Sequence, residues 1–172
     1  MRGLKNNNPL NIRHSKDQWQ GASIPQTDKD FVQFKTMAYG YRAAWRTLHT
    51  YYKRLRDRKK LFTVENIISR WAPPTENDTK SYIHSVLRMT SLGGNENLPQ
   101  PSRGVDIPIL EKLVAAMTTI ECGIPYQQVN RIAIGKGYEL AFPGKRSYAR
   151  TQPVEEDIYL DDLLMWDEYR DW

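Results

Sequence analysis

Apolar side chains recur at spacings of three and four along most of this chain, and that pattern predicts a mainly helical protein. From about Met37 to Arg56, the residues Tyr41, Ala44, Trp45, Leu48, Tyr52 and Leu55 form one stripe, with Arg42, Arg46, Lys53 and Arg54 opposite. Gly40 weakens a helix interior, so a start just after it is the alternative to Met37. Thr63 is a good N-cap for a second helix through Arg70, which buries Val64, Ile67, Ile68 and Trp71. Pro73 and Pro74 stop it, because proline has no N–H and restricts the residue before it. A third helix, about Thr79 to Met89, presents Tyr82, Ile83, Val86 and Leu87.

Residues 91–105, rich in Gly, Asn, Pro and Ser, read as a long connection. Asp106 is expected to cap a fourth helix that carries Pro108 in its first turn and ends at Gly123. Its stripe is Leu110, Leu113, Val114, Met117 and Ile120. Pro125 opens a short fifth helix with Tyr126, Val129 and Ile132, which Gly135 and Gly137 are expected to end. The first 36 residues lack this period. Asn6-Asn7-Asn8-Pro9 reads as turn material and Phe31-Val32-Gln33-Phe34 as a short strand. No internal repeat is visible.

Charge divides the chain into a body, residues 1–152, and a tail, residues 153–172. The body holds 24 Lys/Arg against 12 Asp/Glu, a net of +12; the tail holds one Arg against eight acids, a net of −7; together they make the overall +5. A basic body suits an anionic partner: nucleic acid, a bacterial cell wall or the chain's own tail. The tail mixes its acids with Tyr159, Leu160, Leu163, Leu164, Met165 and Trp166. Such a segment either docks on the body or binds a partner.

One cysteine, Cys122, excludes an intrachain disulfide, and His14, His49 and His84 are too scattered for a structural zinc site. No metal or cofactor is expected. The N-terminus is basic but has no apolar stretch of signal-peptide type, and no run is long enough to span a membrane. The basic run Lys53 to Lys60 is either a nucleic-acid patch or a charged helix exit. Zinc-finger spacing and RNP-like aromatics are missing, which makes nucleic acid the weaker partner class. The serine elbow, phosphate loop and HExxH zinc motif are absent as well.

Glu121 stands out. It follows Leu110, Val114 and Met117 on the same stripe, in the last turn of the fourth helix. Burial and the negative end of the helix dipole would both disfavour its ionised form, as a general acid requires. An acid on the wet edge of the stripe, paired with an Arg, is the plainer alternative. A glycosidase also uses a second carboxylate. Asp17, Asp28, Asp30 and Glu76 are available, and Glu76 follows the stiff Trp71-Ala72-Pro73-Pro74 turn. Trp71 could stack on a sugar ring or lock two helices together. Asn77 and Thr79 could bond sugar hydroxyls or cap the third helix, and Tyr39, Tyr41 and Tyr82 could line a groove or fill the core. Cys122 is either a nucleophile or a small apolar residue at a helix end.

The opening Arg2-Gly3-Leu4-Lys5-Asn6-Asn7-Asn8-Pro9-Leu10-Asn11-Ile12-Arg13, with Trp19-Gln20-Gly21, resembles a family of phage and prophage proteins. These are described as virion structural or lysozyme-like proteins. The resemblance continues through Gly40-Tyr41-Arg42-Ala43 and Arg70-Trp71-Ala72-Pro73-Pro74 to Tyr82, covering residues 2–90. A looser one links Asn8-Pro9-Leu10-Asn11-Ile12 and Trp19-Gln20-Gly21 to bacterial wall glucosaminidases, just after their catalytic helix. That helix ends in Glu, a small residue and Gly, as Glu121-Cys122-Gly123 does here, but late in the chain. The halves would then be in swapped order, a circular permutation of the lysozyme-like fold. Cys122 stands where such helices more often carry Ser or Asn, and Leu10 where the phage family usually has Gly.

The resemblance implies cleavage of peptidoglycan glycan strands. Glu121 would be the general acid, with Glu76 as second carboxylate or the substrate's own acetamido group in its place. Asn11, Tyr39, Tyr41, Trp71, Asn77, Thr79 and Tyr82 would be the binding residues. It also implies a phage particle, or the host cytoplasm before release, as the location, and particle proteins as possible partners of residues 153–172. The alternative reading is a non-catalytic particle or assembly protein on the same scaffold.

Overall fold

The computed structural model describes residues 1–104 and 106–145. The acidic tail lies outside the described residues. Among the described residues six α-helices follow one another: α1 Arg2–Lys5, α2 Met37–Asp57, α3 Val64–Trp71, α4 Thr79–Thr90, α5 Ile107–Cys122 and α6 Arg131–Ala141. The fold is mainly α, as the periodicity predicts.

The central helix is α5, whose Leu110, Leu113, Val114, Ala115, Ala116 and Met117 are all fully buried. Around it lie Tyr41, Trp45 and Leu48 of α2, Ile67 and Ile68 of α3, Val86 of α4, and Ile134 and Tyr138 of α6. These are largely the residues of the predicted stripes. Trp45 is wholly buried, donates its indole N–H to the Ile134 carbonyl at 3.1 Å and meets Tyr138 edge-on at 5.1 Å. Thr63 caps α3 by accepting from the Asn66 N–H, and Asp78 caps α4 by accepting from that of Ser81.

Three local expectations are corrected. The last helix does not end at Gly135 and Gly137; it begins at Arg131 and runs through both to Ala141, preceded by a 3₁₀ turn over Tyr126–Gln128. The reason is a close helix crossing. A Cβ on Gly137 would lie 2.5 Å from the Tyr41 Cβ and 2.9 Å from the Ala38 carbonyl oxygen and the Arg42 nitrogen. Glycine there lets α6 touch the α2 backbone. Gly40 likewise sits inside α2, which starts at Met37, because a Cβ on it would lie 2.0 Å from the Asn7 carbonyl oxygen.

The third correction concerns Asp106. It occupies the N-cap position of α5, yet its side chain makes no capping bond. Its backbone is left-handed, with φ +54, whereas capping side chains reach back from an extended backbone.

The first 36 residues form a hook laid over α2 and the end of α5. Only isolated bridges, Arg13 with Phe31 and Ala22 with Phe34, appear where a strand was expected among the described residues. A few backbone bonds join these segments, among them Val32 N–H to the Ile12 carbonyl and His14 N–H to the Asp30 carbonyl, and asparagine amides add to them. Asn8 is fully buried; its amide donates to the carbonyls of Ile12 and Val32, at 2.9 and 2.7 Å, and its oxygen accepts from the Ile12 N–H at 2.8 Å. Asn7 donates to the Phe34 and Lys35 carbonyls, and Asn6 to Asp28. The turn residues of the sequence therefore build a polar core.

Candidate functional site

The last turn of α5 places Glu121 where three other pieces of chain converge. Gly123, left-handed at φ +62, ends the helix immediately afterwards. Asn11 of the hook donates its amide to Glu121 Oε2 at 2.8 Å, and Tyr82 of α4 donates its hydroxyl to Oε1 at 3.0 Å. Trp71, at the end of α3, is a third and weaker polar influence on the carboxyl. Glu121 is partly buried.

Burial pushes the Glu121 carboxyl above its usual range, and the three donors, Asn11, Tyr82 and Trp71 in that order, hold back part of the rise. Burial also pushes the Tyr82 phenol well above its usual range, and the Glu121 charge adds to it. Tyr82 therefore stays protonated and serves as a donor.

Asn11 is aimed by the hook. Its backbone is left-handed at φ +51, a conformation that Asn tolerates better than most residues. Asn8 fixes it from both sides: the Asn11 N–H donates to the Asn8 carbonyl at 3.0 Å, and the Asn8 side chain clamps Ile12. The Cys122 thiol ties the hook to α5 by donating to the Pro9 carbonyl at 3.2 Å. Burial, followed by the Glu121 charge, pushes that thiol up to about 11, so Cys122 is a buried tether with little thiolate character. Gly3 closes the arrangement, since a Cβ there would lie 3.0 Å from the Asn11 Oδ1, the Asn8 carbonyl oxygen and the Cys122 Sγ.

The other candidates are distributed differently. Tyr41 is buried in the core, where its hydroxyl meets Thr118 Oγ1 at 3.2 Å. Thr79 is buried too and donates to the Ala72 carbonyl at 2.6 Å, bracing the proline turn. Tyr39 packs in a second apolar cluster with Trp19 and Trp71, around Val32 and Phe34. Glu76 is exposed and faces Arg13 at 3.8 Å. Asn77 is exposed, with its amide 3.4 Å from the Pro73 carbonyl. Of the nine candidates, Glu121, Asn11, Tyr82 and Trp71 form one group.

Asn8, Gly3 and Cys122 were not singled out as a supporting frame. The one legible signal was the unusual run of three asparagines before Pro9, and it pointed only to a turn. Two surface clefts, of about 270 and 220 Å³, lie elsewhere, one around Trp19 and one around Tyr52 and Phe62. No group of three or more His, Cys, Asp or Glu side chains suited to a metal ion occurs among the described residues. No described helix is long and apolar enough to cross a membrane.

No protein-family profile matches the chain. Over 147 residues, 83% of this chain and 83% of the relative, it is 38% identical to Protein P5 of Pseudoalteromonas phage PM2. This chain belongs to the family of that phage protein. The relationship supports the phage half of the resemblance seen in the sequence; it brings in no lysozyme-like family. Since 83% of the 172 residues lie in the aligned stretch, it includes most of the body described above.

Proposed function

We propose that this P5-family chain is a phage particle protein, and that on its scaffold Glu121 donates a proton to the glycosidic oxygen of peptidoglycan strands. The observation that carries the second part is the Glu121 group: a partly buried carboxyl gripped by Asn11, Tyr82 and Trp71. Burial lets it keep its proton to a higher pH than an exposed acid, which suits a general acid.

The Asn11 amide can only donate, so Oε2 accepts from it. Loss of the proton leaves a carboxylate that Asn11, Tyr82 and Trp71 stabilise. Glu76, held out in solvent opposite Arg13, is a poor second group. Assistance by the acetamido group of the substrate fits better, because it needs no further carboxylate.

The non-catalytic particle protein is the second reading. It is favoured by the P5 relationship, which names a phage protein and no enzyme, and by the position of the two clefts away from Glu121. Under this reading the Glu121 group is a clasp that locks the hook to α4 and α5.

Muropeptide release from purified walls separates the two readings. Wild type is expected to release muropeptides and Glu121→Gln to lose at least a hundredfold in rate, within the range one general acid supplies. Equal release by both removes Glu121 from the chemistry. No release by the wild type from several wall types leaves the structural reading. Immunoblots of purified particles test the location, and absence from them overturns it.

A further inference from the structure

The exit of α2 carries the densest positive charge of the chain. Between residues 53 and 60, Lys53, Arg54, Arg56, Arg58, Lys59 and Lys60 face a single acid, Asp57, which pairs with Arg56 at 2.9 Å. Beside this run is the cleft of about 220 Å³, lined by Tyr52, Phe62, Leu61, Arg56, Lys59 and Lys60, with no acidic residue in its lining. Leu61 on its rim is 55% exposed, one of three large apolar side chains so exposed among the described residues. The site therefore offers cations, the half-buried Tyr52 ring and an apolar edge.

We propose that this cleft is the docking site for the chain's own acidic segment, residues 153–172. The chemistry is complementary on both counts. The segment carries eight acids against one Arg, a net of −7, and Leu163, Leu164, Met165 and Trp166 lie among them. A purely electrostatic partner would explain the acids but not the apolar residues among them.

Reach supports the same occupant. At the end of α6, Phe142 packs edge-on against His49, with ring centroids 5.6 Å apart. His49 stacks on Tyr52 at 6.3 Å, and Tyr52 lines the cleft. The described chain thus ends near Phe142, two rings from the proposed site. Residues 146–154, at roughly 3.3 Å each when extended, could span about 30 Å.

Docking would cover the basic edge that otherwise attracts anionic polymers, and it holds whether or not Glu121 is catalytic. The test uses the full chain with a nitroxide label at Leu164→Cys; Cys122 is buried and stays unlabelled. Amide signals of residues 52–62 are expected to broaden selectively, to recover in about 0.5 M salt, and to recover in the fold-checked Lys59→Glu/Lys60→Glu variant. Uniform weak broadening, or broadening centred on another face, overturns the proposal. So does broadening that appears only between labelled and unlabelled molecules, which would assign the site to the tail of a second copy.

Discussion

The hook and the helical body solve the same problem by different means. The body, from α2 to α6, is held by apolar packing around α5, with Trp45, Leu110, Leu113 and Met117 fully buried. The hook sets Ile12, Val32 and Phe34 against Ala43 of α2, and asparagine side chains add to its few backbone bonds. Packing tolerates gradual change, since its energy is spread over many contacts. A side-chain bond to a buried carbonyl does not, because its loss strands a polar group. The hook is therefore the brittle part, and it is the part that aims Asn11 at Glu121.

The two regions also treat their carboxylates in opposite ways. Asp28 in the hook accepts from Arg2 at 2.6 and 2.7 Å, from Asn6, and from the backbone N–H groups of Asp30 and Phe31. The Arg2 guanidinium above all holds it far below the usual carboxylate range. Glu121 in the body has fewer donors, burial is the largest influence on it, and it is raised. Similar groups thus move in opposite directions according to which influence is larger.

The largest expected effect lies in the body. Trp45→Ala removes a fully buried indole, its bond to Ile134 and its contact with Tyr138, and should cost about 3–5 kcal/mol in chemical denaturation. A loss under 1 kcal/mol would mean that the α2–α6 contact is not central. Gly137→Ala comes next: the added methyl meets α2 backbone as well as Tyr41, so about 1–3 kcal/mol should be lost. Melting temperature reports it, and an unchanged value would deny the close crossing.

Asn8→Ala sharpens the comparison itself. It strands the Val32 carbonyl and the Ile12 N–H, at about 1–3 kcal/mol, while the Ile12 carbonyl keeps the Val32 N–H. Hydrogen exchange should rise across residues 1–36 while α2 and α5 keep their protection. Equal loss in both regions would make hook and body one cooperative unit.

The smallest effects are in pH. The depressed pKa of Asp28 gives stability that is present above its unfolded value of 3.8 and is lost as the pH falls toward the folded value. The hook should therefore open first in acid, and Asp28→Asn should remove that dependence. Glu121 has the opposite sign. Its raised pKa gives stability that is full below 4.5 and lost as the pH rises through the folded value. Stability of Glu121→Gln relative to wild type should thus improve from pH 4 upward. A flat difference would place Glu121 in open water.

The sequence alone determined the helices, because their apolar periods are local: the stripes of α2, α3, α4 and α5, and the caps Thr63 and Gly123, could be read directly. Glu121 was legible for the same reason, as an acid on an apolar stripe at a helix end. Only the tertiary structure decided what Gly137 and Asn8 do. A glycine inside a helix and an asparagine in a turn carry the same local signal whether they face water or a neighbouring backbone. Their roles depend on chain segments distant in sequence, Tyr41 for the first and Val32 for the second. Tyr41 and Tyr82 show the same limit: both lie on helix stripes, and packing alone put one beside Thr118 and the other against Glu121.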